Sequence, residues 1–200
     1  MLKAQGNLAE ALKAYRDNLA IITRLASADR SNARWQRDLS VSFDNIGDVL
    51  QAQGKLDEAL KSYRDGLVII ERLVSSDRSN TEWQRDLSIS YNNVGDMLKG
   101  EGKLDEALKA YRDSLAIRER LAAAARSNMQ WQRDLAASHA NVGSVYERQG
   151  RIVDALQELT QARDIMTAVV AVAPGNARWK KDLVWIEQEI ARLRGQTRAR

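Results

Sequence analysis

Three asparagines, Asn45, Asn93 and Asn141, lie 48 residues apart, and each stands two residues before a glycine, in DNIGD, NNVGD and ANVGS. A carboxamide donates and accepts hydrogen bonds at once, and asparagine is a mediocre helix former, so its recurrence in one register calls for an explanation. Little else in the chain offers chemistry. His139 is the only histidine and there is no cysteine, which removes histidine pairs, thiolate metal sites, cysteine nucleophiles and disulfides. His139 takes the place that Phe43 and Tyr91 hold 96 and 48 residues earlier, and it reads as a packed or half-exposed side chain. Carboxylates are plentiful but recur beside lysines and arginines, as solvated helix faces do, and form no isolated acid–base pair. No phosphate-binding glycine loop is present. The expectation is no catalytic residue, no metal site, no cofactor and no enzyme activity.

The elements that position the asparagines follow from composition and periodicity. Apolar residues make up 44% and charged residues 29% of the 200 positions, with a single proline, and the dominant residue types are good helix formers. Tryptophans at 35, 83, 131 and 179 keep the 48-residue interval, as do glycines at 6, 54, 102 and 150 and tyrosines at 15, 63 and 111. Residues 31–78 and 79–126 are identical at 30 of 48 positions, and a third, more divergent copy spans 127–174 without insertion or deletion.

Each copy reads as two helices of about twenty residues, roughly 30 Å long. In the first, Trp35, Leu39, Phe43, Ile46 and Leu50 form an amphipathic stripe. Asn32, Asn80, Asn128 and Asn176 stand at the N-cap, and Gly54 supplies a left-handed stop. Leu56, Ala59, Leu60, Tyr63, Leu67 and Leu73 form the stripe of the second, with Asp57–Lys61 and Lys61–Asp65 as i,i+4 pairs outside. Gly47, Gly95 and Gly143, costly in mid-helix, are expected to admit close approach of the partner helix at Ala59, Ala107 and Ala155. The tryptophans read as packing against the preceding repeat, and Trp185, outside the register, has no such assignment.

The spacing of Gly47, Leu50, Gly54, Ala59 and Tyr63 and the run EALKSYRDGLVII resemble tetratricopeptide repeats. The period exceeds the usual length of about 34 and that of the kinesin-light-chain variety, with WQRDL lengthening the first helix and IIERLVSS the second. The resemblance implies an all-α, right-handed α-solenoid of antiparallel helix pairs: a partial repeat over 1–30, full repeats at 31–78, 79–126 and 127–174, a capping helix at 175–195 and a basic tail at 196–200. MLKAQG at 1–6 aligns with MLKGEG at 97–102, so the chain is expected to begin halfway along a first helix. That leaves Leu8, Leu12, Leu19 and Ile22 to be covered by a longer array or another molecule.

In such families the first helices line a concave groove, and an asparagine at the position of Asn45, Asn93 and Asn141 holds the backbone of an extended peptide. Asp44, Asp48 and Gln51 are expected on the same face in the first copy. Asn92, Asp96 and Lys99 follow in the second, and Ser144, Glu147 and Arg148 in the third. Asp44 and Asp48 stand where a clamp for a C-terminal carboxylate wants cations, so a peptide with basic or polar side chains fits better. The alternative for the asparagines is that they join neighbouring repeats or descend from duplication. The functional expectation is a protein- or peptide-binding scaffold. Alternatives are self-association through an uncapped N-terminal end and a spacer within a larger multidomain signalling protein, since such arrays resemble those attached to bacterial signalling or effector domains. The net charge of +4 comes largely from Arg192, Arg194, Arg198 and Arg200, a short basic end rather than a nucleic-acid stripe. No apolar run is long enough to cross a bilayer, and a cytoplasmic location is expected.

Overall fold

The structure, a computed structural model, describes residues 7–198, with side chains through Gln196. The half-helix expected over 1–6, the end of the basic tail at 199–200 and the side chain of Arg198 lie outside the described residues. All regular structure among the described residues is helical, and the chain divides into two compact units, one ending at Glu101 and the other starting at Gly102. The first unit contains α1 (Leu8–Ala28), α2 (Ala33–Ala52), α3 (Leu56–Ser76) and α4 (Thr81–Gly100). The second contains α5 (Leu104–Ala124), α6 (Met129–Arg148), α7 (Ile152–Val172) and α8 (Ala177–Arg198). Within each unit every helix packs on the next in sequence, which is how a solenoid buries faces that no single helix pair could cover.

The ends of the helices are set by local chemistry. Asn32, Asn80, Asn128 and Asn176 each accept a hydrogen bond from the backbone N–H of the tryptophan three residues on, at 3.1–3.2 Å, satisfying one of the orphan donors of the first turn. Gly54, Gly102 and Gly150 have φ between +75° and +77°. At the first of these the N–H of Lys55 reaches the Leu50 carbonyl and that of Gly54 the Gln51 carbonyl, both at 2.9 Å, which is a Schellman C-cap. Helix α8 continues through Arg198, so the stretch expected as a tail from 196 begins as its last turn.

Burial follows the amphipathic pattern with two differences. Ile46, Val49 and Leu50 of α2 and Ala59, Leu60, Tyr63, Ile70 and Leu73 of α3 are buried, whereas Leu56 is 43% exposed. The close contact at Gly47 is made by Tyr63 rather than Ala59: a Cβ on Gly47 would lie 2.5 Å from the Tyr63 ring. In the second unit Gly143 does meet Ala155, at its carbonyl oxygen, 3.3 Å from a built Cβ. Leu159 replaces the tyrosine there and the contact is looser. Buried serines complete the α2–α3 seam, Ser40 donating to the Gly66 carbonyl and Ser62 to that of Phe43 at 2.9 and 2.8 Å.

The added WQRDL segment ties the long helices together. The Gln36 side chain donates to the Ala26 carbonyl at the end of α1 (3.1 Å), and Gln132 does the same to Ala122 at the end of α5 (2.9 Å). Arg37 of α2 meets Asp86 of α4 at 2.5 Å, and Arg133 of α6 meets Asp182 of α8 at 2.7 Å. Each arginine thus bonds the aspartate of the following copy of its own motif. On α8, Ile186, Ile190 and Leu193 are buried, while Glu187, Ala191 and Arg194 are exposed. These last three stand in the register of Phe43, Gly47 and Leu50.

Candidate functional site

The three asparagines hold equivalent places on α2, α4 and α6, and all are half-buried. Their surroundings differ. In the first unit Asp44, one turn from Asp48, is held between α2 and α4, and the Ser90 hydroxyl donates to its Oδ2 at 3.1 Å. Burial pushes the Asp44 carboxyl up to about 7, helped by the negative charges of Asp48 and Asp86 and opposed by hydrogen bonds from Ser90 and Asn93. Asn93 is therefore committed in part to a carboxylate of the neighbouring first helix. Asp48 and Gln51 both accept from the Tyr63 hydroxyl, at 2.9 and 3.2 Å. Burial, and then Asp48, push the Tyr63 phenol far up, so it stays a donor.

The other expected residues are distributed unevenly. Asn92 is only 8% exposed and presents no open surface. Asp96 is exposed and lies 3.8 Å from Lys99 one turn on. In the second unit Ser144 turns its hydroxyl back to the Asn141 carbonyl at 2.7 Å, Glu147 is bridged by Arg192 of α8 at 2.8 Å, and Arg148 is exposed.

Asn141 borders a cavity within the second unit. A space of about 180 Å3 lies between α6, α7 and α8, edged by Asn141, Ala137, Arg133, Asp182, Met166 and Trp185. Trp185 is 50% exposed and stands in the register of Val41 and Ala137, one turn before the asparagine register. Its departure from the 48-residue tryptophan series is visible in the sequence, but its place beside Asn141 needs the packing of α8 on α7. The site therefore joins a carboxamide, a half-open indole and an ion pair already neutralised within itself.

His139 bonds Glu158 through Nδ1 at 2.8 Å, and Arg118, 8% exposed in the register of Ile70 and Met166, is satisfied by the Asp134 carbonyl and the Ser138 hydroxyl. Among the described residues no cluster of three or more histidine or carboxylate side chains could hold a metal ion. No described helix is long and apolar enough to cross a membrane.

Residues 39–120 match the sequence profile of the tetratricopeptide repeat. Over those residues the repeats are similar to the tetratricopeptide family. The tetratricopeptide fold is matched over nearly the whole chain by a Podosopora anserina chain assigned to the kinesin light chains, of nearly identical TPR-like repeats. It has 18% identity and a TM-score of 0.63 over 99% of this chain and 89% of that one. A single-site variant of the same protein gives 17% identity and a TM-score of 0.65 over 99% and 88%. At that identity the likeness carries the tetratricopeptide architecture alone. Among curated proteins no match is found. Tetratricopeptide repeats generally mediate protein interactions, and the helical repeats described above fit that general role.

Proposed function

We propose that the chain is a non-enzymatic, cytoplasmic scaffold that captures an extended peptide on the inner face of its first helices, with the Asn141–Trp185 site as the anchor. The observation carrying this reading is the cavity itself: the Asn141 carboxamide, which can donate to and accept from a peptide backbone, borders open space beside a half-exposed indole. Amphipathic aromatic side chains of this kind dominate recognition energetics because they bury large area with few torsions to freeze. In the first unit the same face carries Asp44 and Asp48, which favours basic or polar side chains on the bound peptide. Asn45 and Asn93 contribute there, Asn93 less because Asp44 engages it.

The exposed face of α8 supports capture over end-to-end stacking of copies. Where Gly47 makes room for Tyr63, α8 has Ala191, and a second helix bearing Tyr15 in the Tyr63 register would meet a methyl group flanked by Glu187 and Arg194.

The test is selection of random dodecapeptides displayed on phage against the whole chain, followed by calorimetric titration of the selected peptides. Asn141→Ala and Trp185→Ala are each expected to weaken binding at least tenfold with helix content and melting temperature nearly unchanged. Alanine at Asn45, Asn93 and Asn141 together is expected to abolish it. Peptides that bind all these folded variants as they bind the wild type would remove the asparagines from function.

A further inference from the structure

A different kind of cavity lies where the end of one helix, the start of the next and the end of the one after it meet, and each unit holds one, with different chemistry. In the first unit the end of α1, the start of α2 and the end of α3 enclose about 610 Å3, in the size range of small-molecule sites. In the second unit the end of α5, the start of α6 and the end of α7 enclose about 590 Å3. The linings correspond at intervals of 96 residues: Ala26 with Ala122, Arg30 with Arg126, Gln36 with Gln132, Leu39 with Leu135, Leu73 with Val169. These walls are the segments by which the repeat exceeds the ordinary tetratricopeptide length, so the pockets are a product of the added turns.

The charges on the two linings differ. The first cavity is walled by Arg30 and Arg72 with no carboxylate. In the second, Arg126 remains, Ala168 replaces Arg72, Val172 replaces Ser76, and Glu119 and Asp164 enter the wall. Formal lining charge is thus +2 from two arginines in one copy and −1 from one arginine and two carboxylates in the other. Among the described residues neither Arg30 nor Arg72 is held by an acidic partner. The nearest carboxylate in sequence, Asp29, accepts the N–H and hydroxyl of Ser31 at 3.0 and 2.6 Å. Leu39, Ile69 and Leu73 make an apolar floor, and the Gln36 amide there is spent on the Ala26 carbonyl.

We infer that the first-unit cavity binds an organic oxyanion, a phosphate monoester or carboxylate on an apolar stem, with Arg30 and Arg72 on the charged group and Leu39, Ile69 and Leu73 under the stem. Two guanidinium groups present planar forks of N–H donors matched to such oxygens. The hydroxyl of Ser27, on the same wall, adds a donor. The second-unit cavity, similar in volume and opposite in charge, repels the same ligand and serves as an internal control.

The experiment uses the full chain, labelled with 15N, titrated with phenyl phosphate, phenylacetate, inorganic phosphate and benzyl alcohol. Saturable shifts of the amides at 26–31 and 69–76 are expected with phenyl phosphate and phenylacetate, while those at 122–127 and 165–172 stay still. Inorganic phosphate and benzyl alcohol are each expected to bind at least tenfold more weakly, because each lacks one half of the recognition. A stronger response to phenyl phosphate than to phenylacetate identifies the monoester as the preferred source. Arg72→Ala, which installs the residue the second unit has at Ala168, is expected to lower affinity at least tenfold in a chain that keeps its wild-type spectrum elsewhere. Arg30→Gln is expected to do the same. Equal shifts in both cavities, wild-type affinity in Arg72→Ala, equal binding of benzyl alcohol, or no saturable shift at about 10 mM would each overturn the assignment.

Discussion

The ring of Tyr63 occupies the space a side chain on Gly47 would need, its nearest carbon 2.5 Å from where that Cβ would sit. The glycine is therefore retained for the approach of α3 to α2, and the Tyr63 hydroxyl, passing across the seam, reaches Asp48 at 2.9 Å on the far side. Gly47→Ala is expected to destabilise the chain by about 2–3 kcal/mol, the range for overpacking a close-packed interior. Gly143→Ala, whose nearest contacts begin at 3.3 Å against the Ala155 carbonyl and Glu158, is expected to cost about 1 kcal/mol or less. Urea denaturation of the two variants checks the order.

The Asp44 carboxyl gives stability an unusual pH dependence. An aspartate titrates near 3.8 when unfolded and at about 7 here, so between those values the folded chain binds the additional proton. Stability conferred on that group's account falls as pH rises from about 4 to 7 and stays low above. Asp44→Asn removes the titration while keeping a polar group beside Ser90. It is expected to raise stability by about 2 kcal/mol at pH 8 and by little at pH 5, as part of the full linkage term of about 1.4 kcal/mol per pH unit is lost with the carboxylate's hydrogen bonds. Melting curves at the two pH values check this, and an equal effect at both would contradict it.

Arg37 bears on the same cluster. It neutralises Asp86 at 2.5 Å and Glu82 at 2.9 Å, and Asp86 is one of the charges that push Asp44 up. Arg37→Ala leaves a half-buried carboxylate without its partner and is expected to cost about 1–3 kcal/mol, more at pH 8 than at pH 5. Thermal unfolding of the variant at both pH values measures it.

Gly54 tests the backbone alone. Its φ is +75° and nothing lies within 4 Å of a built Cβ, so Gly54→Ala meets conformational cost without steric conflict. About 1 kcal/mol is expected, read from the shift in the denaturation midpoint.

Much of the fold was legible because the repeat prints its own grammar. Each asparagine before a tryptophan proved to be an N-cap, and the recurring glycines at 54, 102 and 150 all adopt positive φ. The i,i+4 lysine–aspartate register is seen at Lys13–Asp17 and Lys109–Asp113, at 2.9 and 2.7 Å. What periodicity hides is which side chain crosses a seam. Gly47 could be matched to a small residue or to an aromatic ring, and only the relative height of α2 and α3 selects Tyr63. The WQRDL motif announces a shared task through its strict recurrence, but the partners of Arg37 and Arg133 each lie 49 residues on, within the next copy. The candidate site was least legible. The equivalence of Asn45, Asn93 and Asn141 in sequence conceals that Asn93 is drawn to Asp44 while Asn141 faces open space, a difference created by Asp44 itself and by Trp185.

The most direct test of peptide capture at Asn141 and Trp185 is an amide map of the 15N-labelled chain with one phage-selected peptide bound. The account predicts the largest shifts along Arg133–Asn141 of α6 and around Trp185 of α8, together with a shift of the Trp185 indole N–H. Shifts confined to the outer surface of α7, with Trp185 and Asn141 silent, would contradict it.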